Sequence, residues 1–412
     1  MNKKWHITTL FILFAFLSFS QNNTLDYYIT TSLSNSPLLK SYQNQILSNR
    51  LDSQILRATL KTQVNFLSNN SYAPIVNGYG YDEVITNKQN VSALVQASKN
   101  FPAKNNITAQ LRAISLQNQS LLDTIRLSEK DLIKAVSEQY IIAYGDLVTM
   151  NFNADLFDLL KNEDIILKKL TQSNVYKQID YLSFYVTLQQ QELTLLQSQI
   201  QYDADYLTLN YVAGIWDTKI IQLQEPHLMD TLQYNFINSI FYRRFSTDSL
   251  RIENEKALIK YEYKPKIGSY ADAGYNSSLQ FQPYKNFGVS AGFSLTVPIY
   301  DARQRTLKYS KLDIRERTRL ANKDFFRNQY FQQVAQLTKQ LHATDELVSK
   351  INEQITYVKT LITANQRLLE TGDIRIADYV LAINNYLTAK NLLNQNYISR
   401  LKILNQINYW NR

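Results

Sequence analysis

Residues 287–297, FGVSAGFSLTV, alternate without a fault. Phe287, Val289, Ala291, Phe293, Leu295 and Val297 fall on one side; Gly288, Ser290, Gly292, Ser294 and Thr296 fall on the other. A period of two with one apolar and one polar face predicts an amphipathic strand, which Pro298 ends. Residues 266–277 alternate more weakly, with Ile267, Ala271, Ala273 and Tyr275 opposed to Gly268, Asp272, Gly274 and Asn276. Segments at about 63–73 and 90–100 share the period with more noise. All four have the length of a tilted transmembrane strand, about 9–11 residues. They equally suit a soluble sheet packed on helices.

Elsewhere the period is helical. Leu132, Val136, Tyr140, Ala143, Leu147, Met150, Ala154, Phe157 and Leu160 recur at steps of three and four, a coiled-coil-like seam. No proline lies between Pro102 and Pro226, and none follows Pro298. Proline costs a helix interior about 3 kcal/mol, so both stretches can hold very long helices. One from about Asn105 to Leu170 would be about 100 Å long at 1.5 Å per residue, which requires a rod or a tube. Each stretch contains one break. The first is the polar run Thr171–Val175, with Ser173 and Asn174 at its centre. The second is Glu370–Ile374, where Gly372 can end a helix and Asp373 can cap the next. Each stretch therefore reads as a helical hairpin.

The N-terminus predicts export. Lys3 and Lys4 precede an apolar run from Ile7 to Phe19, and Ser18-Phe19-Ser20 offers small residues to a signal peptidase. The run is short for a span of about 20 residues. Residues 1–20 are read as a cleaved leader, and no later segment is apolar enough for a transmembrane helix. An exported chain without another hydrophobic anchor shifts the strands toward a barrel.

Composition removes most chemistry. With 9 Gly and 7 Pro, glycine-rich phosphate loops and many short elements have little room. Cys is 0, which excludes thiol catalysis, disulfides and Cys-ligated metals. Of 3 His, one lies in the leader, and His227 and His342 are read as structural. There is no serine elbow, and there are no paired carboxylates at strand ends. No cofactor, metal site or enzymatic activity is expected. The formal charge of +9 is moderate for 412 residues and marks no nucleic-acid surface. The 29 Tyr against 18 Phe suit interfaces that are half wet and half apolar.

An offset of 198 residues superposes the two halves: Asp180-Tyr181-Leu182 falls on Asp378-Tyr379-Val380, and Tyr211 on Tyr409. Both halves run helix, strand, strand, long helix, turn, helix. The expected organisation is a first repeat at 21–213, a connector at 214–235 and a second repeat at 236–412.

With this order in view, the chain resembles the TolC-type outer-membrane efflux proteins over essentially its whole mature length. The most specific segments are TVPIYDARQR at 296–305 and LLETGDIRIADYVLAINNYLTAKNLLNQ at 368–395. The resemblance implies a mainly α fold with a small β part. Long hairpins would form a periplasmic α-barrel, and four strands per protomer would enter a shared twelve-stranded barrel in a homotrimer. It implies an outer-membrane exit duct for a tripartite efflux or type I secretion system, coupled through a periplasmic adaptor to an inner-membrane pump. Physics points the same way, since four strands cannot close a barrel and open edges in lipid are costly.

The resemblance also assigns residues. Asp378, and Asp180 in the first repeat, would line the constriction at the narrow periplasmic tip, forming an acidic collar. The family's second acid, three residues on, is here Leu381, and Ser183 in the first repeat. A carboxylate at the positive end of a helix explains the same positions. Gly372, Asp373, Ser173 and Asn174 would make the turns that meet the adaptor. Phe287, Val289, Ala291, Phe293, Leu295 and Val297 would face outer-membrane lipid. Tyr270, Tyr275, Tyr284 and Tyr300 would join aromatic girdles. Tyr300, Arg303 and Arg305 would sit at the membrane interface, at the head of a basic run through Lys308, Lys311, Arg315, Arg317, Arg319, Lys323 and Arg327. The alternative is a periplasmic coiled-coil adaptor or scaffold, although such proteins carry glycine-rich modules that this chain lacks.

Overall fold

The computed structural model describes residues 23–86, 88–229, 235–280 and 282–411. The leader expected at 1–20 lies outside them. Helix α1 (Leu25–Asn35) begins where the Thr24 hydroxyl accepts the Tyr27 N–H at 3.4 Å. Ser36 interrupts it, and Pro37 opens α2 (Pro37–Thr59), the one helical position where its missing N–H costs nothing. The remaining elements are β1 (Gln63–Tyr72), a short α3 (Glu83–Thr86), β2 (Gln89–Phe101), α4 (Lys104–Gln172), α5 (Gln178–Ala213), α6 (Ile240–Glu262), β3 (Lys266–Ser277), β4 (Phe287–Thr296), α7 (Gln304–Thr371) and α8 (Ile376–Asn411). All four expected strands and both long helices are present, and Val297 lies one residue beyond β4. The two long arms have 69 and 68 residues, and the return arms 36 each. No described helix is long and apolar enough to cross a membrane.

The chain separates into two compact units. One comprises Met1–Lys40 (described from Asn23), Ile125–Ile240 and Phe326–Arg412; the other comprises Ser41–Thr124 and Phe241–Phe325. The first unit is all helix and connector. One of its cores is built on tyrosines: Tyr28, Tyr140, Tyr202 and Tyr206 are buried with Leu25, Val136 and Leu209. The rings of Tyr28 and Tyr140 meet edge to face, 5.6 Å apart. The hydroxyls of Tyr140 and Tyr202 hold the connector. The Tyr140 hydroxyl lies 2.7 Å from the carbonyls of both Asn23 and Gln224, between which its one proton is directed, and Tyr202 donates to that of Ile221 at 2.5 Å. Residues 215–229, without regular structure, are thereby fixed against α4 and α5.

The α4 seam departs from the expected register after Met150. Asn153, Leu156, Leu160, Glu163 and Leu167 are buried, whereas Ala154 and Phe157 are only half-buried. Two three-residue steps in succession move the stripe by one position, and two of its members are polar. Asn153 accepts from Gln191 at 3.3 Å, and Glu163 accepts from Gln366 at 2.6 Å. Hydrogen bonding makes that burial tolerable.

The second unit contains the sheet, antiparallel throughout, in the order β1-β2-β3-β4. Below it, α4 and α6 share a buried polar contact. The Asp123 carboxylate accepts the Thr247 hydroxyl at 2.7 Å and lies 3.7 Å from Arg243.

Candidate functional site

The sheet has two chemically distinct faces, set by the pleat and the observed register. One carries Val64 and Phe66 of β1, Val95 and Ala97 of β2, Ala271 and Ala273 of β3, and Val289, Phe293 and Leu295 of β4. Phe293 is 87% exposed. Tyr275 packs on Phe287 on this face, ring centroids 5.2 Å apart. The opposite face is polar: Asn65, Gln96, Asp272 and Ser290 lie level across the four strands, and the Ser290 hydroxyl donates to Asp272 at 2.8 Å. Tyr270 stands on this polar face, not among girdle residues. A Cβ at Gly292 would come within 2.8 Å of its ring, so glycine there makes room for it. Among the described residues, the outer edges of β1 and β4 carry no further strand.

At the foot of β4 the chain turns into α7 through two left-handed residues, Ala302 (φ 50) and Arg303 (φ 67). The Asp301 carboxylate holds the turn by accepting the N–H groups of Arg303 at 3.1 Å and Arg305 at 2.8 Å. These bonds, the Arg305 N–H foremost, lower its pKa. Tyr300 is 86% exposed. The Arg305 guanidinium lies over the rings of Tyr263 and Tyr309, at 5.6 and 6.0 Å. The basic run below is not a bare positive face. Lys308 pairs with Glu262 at 2.7 Å, Arg315 with Glu255, and Arg319 with Glu316 at 2.6 Å, while Lys256 of α6 pairs with Asp313 at 2.6 Å. Glu255 and Glu262 come from α6, some fifty residues away in sequence, so they are invisible to a reading of the run itself.

The two helical hairpin turns lie side by side within the first unit and share one design. At the end of α4, the Val175 N–H reaches the Leu170 carbonyl and the Asn174 N–H reaches that of Thr171, with Asn174 at φ 61. At the end of α7, the Asp373 N–H reaches Leu368 and the Gly372 N–H reaches Leu369, with Gly372 at φ 81. This paired closure, one residue left-handed, is a Schellman cap. Asp373 does not cap the next helix. Its carboxylate accepts the Thr371 hydroxyl at 2.6 Å, and α8 starts only at Ile376. The tips are joined by Tyr176, whose hydroxyl contacts the carbonyls of Leu369 at 2.8 Å and Ile374 at 3.1 Å.

Asp180 and Asp378 both sit in the first turn of a return helix. Asp378 is not a free acid. Arg375, one turn earlier, grips it with two bonds of 3.0 Å. The spacing of three was readable in the sequence and is the signal that the acidic-collar reading overlooked. The next residue, Tyr379, is buried with its hydroxyl against Glu163. Glu163 is 2% exposed, and burial raises its pKa despite the Gln366 bond. Among the described residues no group of acids and histidines could hold a metal ion.

No protein-family model and no curated protein matches the chain. Solved structures do. CusC, described in a study of folding and transmembrane channel formation, matches with a TM-score of 0.75 at 12% identity, covering 94% of this chain and 92% of that one. The outer-membrane protein VceC of Vibrio cholerae matches at 0.72 and 11%, covering 94% and 96%. The open state of the MtrE outer-membrane channel of Neisseria gonorrhoeae matches at 0.73 and 12%, covering 94% and 88%. What is shared at such identities is the fold. The chain adopts the fold of the TolC-type outer-membrane channels, as the family resemblance implied.

Proposed function

We propose that this chain is one protomer of an outer-membrane channel, a homotrimer that conducts solutes from the periplasm to the exterior as the exit duct of a tripartite efflux or type I secretion system. The observation that carries this reading is the sheet. One face is apolar and exposed, the other is polar, and both edges are open. A soluble adaptor or scaffold would have to bury that apolar face. In a bilayer the same face meets lipid, and the polar face lines water. Four strands leave unpaired edges costing several kcal/mol per group in hydrocarbon, so only a ring of copies can insert. Three protomers would supply twelve strands.

Within this reading, Phe287, Val289, Ala291, Phe293 and Leu295 face lipid, and Tyr300, Arg303 and Arg305 meet the headgroups. The segments 21–213 and 236–412 act as two repeats joined by the connector 214–235. The paired tips, with Asn174 and Gly372 at their turns and Ser173 and Asp373 beside them, form the periplasmic end that meets an adaptor and, through it, an inner-membrane pump. Asp180 and Asp378 border the narrow end. The channel itself is protein, lipid and water, with no cofactor. The test is fractionation followed by planar-bilayer recording. A heat-modifiable trimer in the outer membrane that conducts ions supports the reading; a soluble periplasmic monomer refutes it.

A further inference from the structure

We infer that the foot of the sheet holds a binding site for a small organic anion, one acidic group carried on an apolar body. The inference rests on the channel reading above, which sets the polar face of the sheet against water. A cavity of about 350 Å³ opens there, between the ends of β2, β3 and β4 and the turn from α6 into β3. That volume suits a small molecule rather than a peptide. Its charge is positive. Lys266 stands on the polar face opposite Thr296, Lys264 lies in the turn just before it, and both line the cavity. The Tyr261 ring steadies the Lys264 ammonium, 5.2 Å from its centroid. Neither lysine forms an ion pair among the described residues, because the acids near them are engaged elsewhere. Glu262 pairs with Lys308 at 2.7 Å, and Asp301 accepts the N–H groups of Arg303 and Arg305. Asp272, on the same face, accepts from Ser290 and lies roughly 20 Å up β3 from Lys266, well beyond a screening length of about 8 Å.

Hydrogen-bonding groups converge on the same space. Asn100, Gly268 and Ser294 are level across β2, β3 and β4. A Cβ at Gly268 would come within 2.9 Å of the Ser294 hydroxyl and 3.1 Å of the Asn100 side-chain oxygen. Gly268 is not left-handed, so what glycine supplies here is room. The side chains of Asn100 and Ser294 border that gap and make no hydrogen bond among the described residues, which leaves both free to serve an oxyanion. The remaining wall is apolar, with Phe101, Pro265 and Ile267 beside Tyr261. An inorganic anion would use only the charged half of the cavity, and exposed ammonium groups hold a hydrated ion weakly. A ligand with an apolar body also covers the wall, and removal of that surface from water supplies the attraction that charge lacks.

The test is amine footprinting of the detergent-extracted trimer with naphthalene-2-sulfonate. Acetylation of Lys264 and Lys266, read by mass spectrometry, should slow several-fold as the sulfonate saturates. Lys285, exposed in the turn between β3 and β4 at the far end of the sheet, should label at an unchanged rate. Lys266→Gln should weaken protection of Lys264 about tenfold in sulfonate concentration, the loss of one charge-assisted contact. Gly268→Leu keeps both lysines but fills the gap, and should abolish protection; should that variant fail to assemble, Lys266→Gln still decides. Protection unchanged in these variants would place the sulfonate elsewhere and overturn the site. Equal protection by inorganic sulfate would overturn the organic-anion assignment. Protection without sulfonate in trimers reconstituted with phosphatidylglycerol, but not with phosphatidylcholine, would give the cavity to a lipid headgroup and overturn it too. A trimer that conducts in planar bilayers yet shows no protection removes the site and leaves the channel reading intact. Absence of any membrane trimer removes both.

Discussion

Single side chains in this protein carry tasks that composition hides. Asp146 of α4 faces Asp205 of α5. Burial, and then the neighbouring carboxylate, push Asp146 up to about 7, against the pull of Lys402. Burial would raise Asp205 too, but hydrogen bonds from Asp146, Gln201 and Gln139 outweigh it and its pKa falls. Two carboxylates so placed titrate as a coupled pair. Between about pH 4 and 7 the folded chain keeps a proton on Asp146 that the unfolded chain has lost, so stability contributed by this group declines as pH rises through that window. Asp205 acts in the opposite sense, losing its contribution only at acid pH below the ordinary carboxylate range. Hydrogen-exchange protection of α4 and α5 around the pair, corrected for intrinsic exchange, should therefore fall between about pH 4 and 7, and Asp146→Asn should flatten that dependence; an unchanged slope in the variant would show that Asp146 does not carry it. Tyr140 offers a second test. Replacing it with Phe keeps the ring but removes the hydroxyl contacts to the carbonyls of Asn23 and Gln224, at a cost of about 0.5–1.5 kcal/mol. Limited proteolysis of residues 215–229 should accelerate accordingly.

Elements were more legible than side-chain partners. Strand β4 was readable because alternation is local: each residue declares its face without reference to the rest of the chain. The long helices were readable from missing prolines, and the tips from Gly372 and the polar run around Asn174. The seam of α4 was lost at Asn153 and Glu163, because a buried polar residue looks like surface until its partner, Gln191 or Gln366, is known. The acids that neutralise α7 were hidden for the same reason, since Glu255 and Glu262 belong to α6. At this scale β4 itself gives the sharpest prediction. Phe293→Arg places a charge on the apolar face and should block membrane insertion, costing about 2–4 kcal/mol near mid-bilayer. Ser294→Arg points to the polar face and should insert with yields much closer to those of the unsubstituted chain. Equal yields for the two would mean that this sheet does not have lipid on one side and water on the other.

For the whole molecule, read as a trimeric channel, the question is what charge a narrow periplasmic end would present. A ring of three Asp378 carboxylates alone would repel itself and favour cations. Arg375 changes that expectation, because the bidentate pair with Asp378 makes each protomer's contribution nearly neutral. Both side chains remain substantially exposed, Arg375 at 84% and Asp378 at 40%, so the pair is a weak clamp rather than a buried bridge. Removing either partner should unmask the other. Arg375→Gln should shift a trimeric channel toward cations and strengthen block by multivalent cations. Asp378→Asn should shift it toward anions by leaving three uncompensated guanidinium groups. Asp180, without such a partner in its own turn, should respond in one direction only, with Asp180→Asn reducing cation preference. Reversal potentials in planar bilayers under a salt gradient read all three, and raising ionic strength should shrink each shift as screening lengths fall below about 10 Å. Opposite shifts for the Arg375 and Asp378 variants would place the pair at the constriction. Identical reversal potentials for both variants and the unsubstituted channel would make Asp378 a helix-start residue, its charge satisfied locally and remote from the path of the solute.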